Sequence, residues 1–212
     1  MHSLFSGPFF EYILGREPLR SAEYLTCGSS AMLFQCEGKL YRLTTDGCGH
    51  NFLSQQSANG NPAVVQIIED FGPVAPNDAY PQEEYYWLAQ VEWLEPIDPA
   101  SLAGKNLQSL FDTLHDDGAV LPEERQPFVD ACRQALTTHP EFKPLLETII
   151  RAAYFLDEGE GLIDVNLSNV MLRPLTGELV WSDPIHDSVM TLTSTQSSQM
   201  ESVRRLAGHL KA

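Results

Sequence analysis

The sequence predicts an α+β chain with a small antiparallel sheet in its first half and helices in its second. Three observations carry this prediction. Between Tyr24 and Leu94 the apolar residues alternate or cluster in short β-branched and aromatic runs. From Leu102 to Glu158 they recur instead at three- and four-residue spacing. Between the two regimes Pro96, Pro99 and Gly104 interrupt both patterns, so the sheet part is expected over residues 1–95 and the helical part over 96–212.

Taken in order, Ser3 to Leu25 opens with Phe5, Phe9, Phe10 and Tyr12, an aromatic cluster that predicts a short helix packed on the core. Glu11 interrupts the apolar stretch of Met1 to Gly15 and no basic segment precedes it, so this is not the pattern of a signal peptide. Ala31, Leu33, Leu40 and Arg42 alternate with Met32, Phe34, Tyr41 and Leu43 around Glu37-Gly38-Lys39, which predicts a hairpin with Gly28-Ser29-Ser30 as the corner before it. Cys48 to Gln56 predicts one or two helical turns, ended by Asn59-Gly60-Asn61-Pro62. Two further strands are expected at Ala63 to Phe71 and at Glu84 to Leu94. The helical segments are Leu102 to His115, Pro122 to Leu136 and Glu141 to Glu158, with Pro122 and Pro140 suited to first-turn positions. Thr191 to Gln199 is rich in Ser and Thr and is expected to be a mobile tail, open to autophosphorylation.

Composition excludes several classes of function. The 212 residues hold 29 acidic and 13 basic side chains, a net charge of -16. Direct nucleic-acid binding needs clustered cations that release counterions, and here the Lys and Arg are scattered. The acidity favours solubility, steering toward a basic partner, or mimicry of nucleic-acid charge. Cys27, Cys36, Cys48 and Cys132 stand 9, 12 and 84 residues apart, without a zinc spacing, so reduced thiols are expected. No run of 18 apolar residues occurs, which predicts a cytoplasmic chain that does not span a membrane. His50, His115, His139, His186 and His209 are dispersed and read as surface or capping residues.

The chemistry concentrates in one stretch. The segment from Tyr154 runs through a Gly-rich turn to Leu162-Ile163-Asp164. Asn169 follows Asp164 by five residues and opens an apolar strand; fourteen residues later a second apolar strand ends in Asp183-Pro184. Asp and Asn at this spacing also suit a plain Asx turn between helix and strand. The full order, helix, Asp, Asn, strand, turn, strand, Asp, resembles the catalytic segment of protein kinases and aminoglycoside-type kinases. It is particularly similar to the small serine/threonine kinases carried by some lytic phages, where Asp-Pro replaces the usual Asp-Phe-Gly.

That resemblance implies a minimal bilobal kinase-like fold binding ATP and Mg2+ between its lobes. Asp164 would be the catalytic carboxylate, and Asn169 and Asp183 would hold magnesium. Gly28, Ser29 and Ser30 would form a reduced phosphate-covering loop. Arg42 would take the place of the strand lysine, and Glu92, Trp93 and Leu94 would form the hinge beside the nucleotide base. Three departures stand out. Arg42 is not equivalent to lysine, Gln55 and Gln56 occupy the helix that should supply a pairing glutamate, and Leu162-Ile163 replaces the polar pair before the catalytic Asp. Three readings remain open: a phosphotransferase acting on protein Ser/Thr hydroxyls, a degenerate pseudokinase serving as an acidic module that binds or inhibits a basic protein partner, or a structural α+β domain with no nucleotide site.

Overall fold

A computed structural model describes residues 4–115, 118–156, 160–186 and 190–208. The elements are α1 (Pro8–Leu14), β1 (Glu23–Cys27), β2 (Ala31–Cys36), β3 (Lys39–Thr44), α2 (Gly47–Ala58), β4 (Ile67–Pro76) and β5 (Tyr85–Val91) in the first part. After them come β6 (Glu95–Pro96), α3 (Leu102–Leu114), β7 (Ala119–Val120), α4 (Arg125–Thr138), α5 (Lys143–Phe155), β8 (Leu162–Asp164), β9 (Val170–Leu172), β10 (Leu179–Trp181), β11 (Ile185–His186) and α6 (Ser194–Gly208). The α+β class therefore holds. The residues form two compact units, one from 4–50, 67–92 and 190–208, the other from 51–66 and 93–186.

The first unit is built on a five-stranded antiparallel sheet of order β1-β2-β3-β5-β4. Glu37 and Gly38 both take positive φ, 50° and 78°, the mirror-image turn whose twist suits a two-residue hairpin between β2 and β3. One face of the sheet carries Phe34, Tyr41, Leu43, Tyr86 and Leu88, which pack with Phe10 and Ile13 of α1 and with Met200 and Val203 of α6. The opposite face carries Leu33, Leu40, Arg42, Thr44, Trp87 and Ala89, paired across β2, β3 and β5. α1 has no side-chain cap of its own. Asp78 supplies one from the β4–β5 connection, its two carboxylate oxygens accepting from the backbone N–H of Phe9 at 3.0 Å and of Phe10 at 2.9 Å. Gly7 permits that approach, because a Cβ there would stand 2.5 Å from Asp78 Cγ.

The expected mobile tail is a correction. Thr191 to Gln199 leads into α6, where Met200 is fully buried and Val203 nearly so. Thr193 and Gln196 cap the helix reciprocally: the Gln196 side chain accepts from the Thr193 N–H at 3.0 Å, and the Thr193 hydroxyl accepts from the Gln196 N–H at 3.3 Å. Burial of one apolar stripe outweighs the weak helix propensity of Ser and Thr. The helix thus belongs with the sheet, and the helical part does not run unbroken from 96 to 212.

In the second unit α3, α4 and α5 bury Leu107, Phe111, Phe128, Leu145, Leu146 and Ile149. Pro122 and Pro140 each open a short 3-10 turn that leads into α4 and α5. Gly104 lies inside the first turn of α3, where its N–H donates to the Ser101 cap and a Cβ would stand 2.3 Å from the Asp98 carbonyl. The strand expected at Ala63 to Phe71 is also corrected: β4 begins only at Ile67. Ala63 to Val65 bonds to Trp181 instead, the Ala63 carbonyl accepting from Trp181 N–H at 2.8 Å and the Val65 N–H donating to the Trp181 carbonyl at 3.4 Å. The helix expected to reach Glu158 ends at Phe155, and Asp157 to Gly159, like His209, lie outside the described residues.

Candidate functional site

Two three-stranded antiparallel ribbons assemble the site in the second unit, of order β10-β9-β6 and β11-β8-β7. Asp164 ends β8, and its N–H donates to the Pro184 carbonyl at 2.9 Å, so the backbone beside Asp183 is tied to the strand carrying Asp164. Asn169 closes the 3-10 turn between β8 and β9. Its carbonyl accepts from the Ser182 N–H at 2.8 Å and from the Ser182 hydroxyl at 3.0 Å, which binds the residue before Asp183 to the residue before β9. The Asn166 side chain shapes the same turn by accepting from the Ser168 N–H, and Trp181 Nε1 donates to the Asp164 carbonyl at 3.3 Å. Asp164, Asn169 and Asp183 are brought together in this way from three separate strand ends.

Electrostatics mark Asp164. Burial pushes its pKa up, the nearby charge of Asp183 adds to the rise, and the Asn169 carboxamide and the charge of His186 work against it. Asn169 stands beside the carboxylate, yet its Nδ2 is buried without a hydrogen bond of ordinary length and angle. His186 is opposite Leu162 across β8 and β11, and Leu162 and Asp164 share one face of the strand, so the imidazole is on the Asp164 face. Composition and spacing gave no hint of His186 in this place; proximity to Asp183 in the chain was its one available signal.

The donor set suits a hard cation in part. Asn169 and Asp183 offer a carboxamide and a carboxylate oxygen, which fits magnesium when phosphates and water complete the octahedron. Among the described residues no group of three or more His, Cys, Asp or Glu converges to hold a metal without such help.

The remaining sequence candidates belong to the first unit and to the connection that leaves it. Gly28, Ser29 and Ser30 form the β1–β2 turn, where Gly28 N–H donates to the Ala31 carbonyl at 2.8 Å and the Ser30 carbonyl accepts from Thr44 Oγ1 at 2.9 Å. Arg42 is in mid-β3, 8% exposed, between Leu33 and Ala89. Glu92, Trp93 and Leu94 form the irregular connection from β5 to β6, with Trp93 44% exposed. The α2 helix follows β3 directly, and Gln56 on it accepts from Asn61 Nδ2 at 3.0 Å and from Arg151 Nη1 at 3.4 Å. In the first unit His50 of α2 bonds Asp70 of β4 at 2.9 Å and its ring lies 5.2 Å from that of Trp87. Ile163, one of the two apolar residues before Asp164, is fully buried as a core strand residue.

No helix among the described residues is long and apolar enough to cross a membrane. The chain matches no family model, and no curated protein matches its sequence.

Proposed function

We propose that this chain is a small kinase-like phosphotransferase that uses ATP and magnesium and acts on protein Ser/Thr hydroxyls in the cytoplasm. The observation that carries the proposal is the convergence of Asp164, Asn169 and Asp183 on adjoining strand ends, with burial raising the Asp164 pKa. Phosphoryl transfer needs little covalent chemistry from a protein and is governed by positioning and charge neutralisation. Bound magnesium would neutralise the phosphate charge, held through Asn169 and Asp183. Asp164 would orient the acceptor hydroxyl and take its proton, and a carboxylate shifted upward toward the working pH is the better proton acceptor. The third strand of the sheet carries Arg42 and is followed at once by a helix, the order in which kinases present their phosphate-pairing cation and partner helix.

A second reading has its own support. Gln56 is engaged with Asn61 and Arg151, so the helix after β3 presents a committed amide where the resemblance calls for a carboxylate. With a net charge of -16, this favours a pseudokinase that binds a basic protein.

Thermal unfolding with and without ATP and magnesium separates the two. A ligand at about a hundredfold its Kd stabilises the native state by about 2.7 kcal/mol. The phosphotransferase reading expects a magnesium-dependent rise in Tm that Asp183→Ala abolishes, together with transfer of labelled phosphate that Asp164→Ala abolishes. No rise in the wild-type protein would overturn the phosphotransferase reading and leave the binding module.

A further inference from the structure

We propose that Arg125 is a positioning residue for Asp164: its guanidinium clamps the backbone that leads into β8 and so fixes where the Asp164 carboxylate stands. Arg125 opens α4 and is only 8% exposed. Its Nη1 donates to the Leu156 carbonyl at 3.4 Å, and its Nη2 donates to the Gly161 carbonyl at 2.7 Å and to the Glu160 carbonyl. These three carbonyls belong to the chain between the end of α5 and the start of β8, and Asp164 lies three residues beyond the last of them.

The placement is chemically informative. A buried guanidinium is costly unless its donors are met, and here main-chain oxygens of one segment accept from both of its terminal nitrogens. A planar fork can hold two carbonyls at once, which a lysine ammonium on a flexible stem does not reproduce. Gly161 takes φ 67°, a conformation that leaves its carbonyl turned back to the guanidinium just before the strand starts. The residues immediately before Asp164 are Leu162 and Ile163, and Ile163 is packed in the core, so neither offers a polar side chain to brace the carboxylate. Arg125 supplies the bracing from another helix, upstream of the strand.

The catalytic consequence rests on the phosphotransferase reading, whereas the clamp itself rests on the structure alone. The test therefore uses two readouts on Arg125→Lys and Arg125→Met, with Arg133→Met as a control on the exposed side of the same helix. Hydrogen exchange followed by mass spectrometry should show a selective loss of protection in residues 160–165 for both Arg125 variants, with α1, α6 and the five-stranded sheet unchanged. In steady-state phosphate transfer, kcat should fall on the order of 10²-fold, the scale of a displacement of about 1 Å at a reacting group. The KM for ATP should stay within about twofold, because Asn169 and Asp183 are untouched. Added ethylguanidinium should recover part of the kcat of the Met variant and none for the control. Unaltered exchange in 160–165, or exchange raised evenly over the whole chain, overturns the clamp. If the wild-type protein transfers no phosphate, the functional reading fails and the exchange result alone decides the clamp. Selective exchange with kcat unchanged leaves a brace that does not position Asp164 and overturns the proposal.

Discussion

Replacing Asn61 by alanine should destabilise the protein more than any other single amide-to-alanine change in the helical unit. Asn61 is 6% exposed and its side chain uses both ends. Nδ2 donates to Gln56 Oε1 at 3.0 Å and to Thr148 Oγ1 at 2.9 Å, and Oδ1 accepts from the Ala63 N–H at 3.0 Å. Thr148 keeps a second partner, since its hydroxyl also donates to the Pro144 carbonyl at 2.8 Å. In the variant the Ala63 N–H loses its acceptor at a residue 1% exposed, and Gln56 Oε1 is left with only the long contact to Arg151. Each buried group stranded in this way costs about 1–3 kcal/mol, so the sum is roughly 2–6 kcal/mol. For a chain of this size Tm then falls on the order of 5–15 °C. The loss also frees the Ala63 to Val65 segment that lies along Trp181, two residues before Asp183. Circular dichroism melts and urea titrations measure it, with Asn59→Ala in the neighbouring exposed turn as a control expected within about 0.5 kcal/mol of wild type. A loss below about 1 kcal/mol for Asn61→Ala would refute the claim that this amide holds the turn together.

Two further outcomes follow from the structure. Burial raises the Asp164 pKa, so the folded chain binds this proton at pH values where the unfolded chain has released it. The stability it contributes is complete below the unfolded carboxylate pKa of about 3.9 and is lost as pH rises through the folded value. Asp164→Asn, which cannot ionise, should therefore raise Tm at neutral pH without nucleotide or magnesium, with the gain vanishing near pH 3. Its phosphate transfer should fall by about 10²–10⁴-fold. A melt that drops at pH 7 would refute the strain assigned to this carboxylate. Asp78→Ala removes the acceptor for the N–H groups of Phe9 and Phe10 and should cost about 1–3 kcal/mol. Exchange of the α1 amides would report the loss, and unchanged protection there would show that the helix needs no cap from Asp78.

The parts of the fold that follow from local pattern were legible in the sequence. Glu37-Gly38 announced a hairpin because a two-residue turn with positive φ constrains which residues fit. The order Asp164, Asn169, Asp183 was legible because these residues stand at or just beside the ends of consecutive short strands, so nearness in space follows nearness in the chain. Arg125 was not, since it reaches Gly161 from 36 residues away and no period or motif records that contact. The course of Ala63 to Val65 was equally hidden: a β-branched apolar run suits any buried extended segment, and pairing with Trp181 rather than with β5 is decided by tertiary packing. Thr191 to Gln199 misled for the opposite reason. Its Ser and Thr content signals a polar tail, but the decisive residues, Met200 and Val203, come just after it and bury the helix they belong to.

Asp164 bears on function through a thermodynamic argument. Asp164 keeps a carboxylate at a position where burial and the neighbouring Asp183 both oppose its ionised form. A neutral residue of similar size at that position would avoid this cost. Ionisable groups held against their solvation preference tend to mark places where a ligand or reaction supplies the missing compensation. The resemblance read from the sequence points to the same residue as the acceptor-orienting base. On this ground the catalytic reading is favoured over the inert one, and the magnesium-dependent melt is the measurement on which that preference turns.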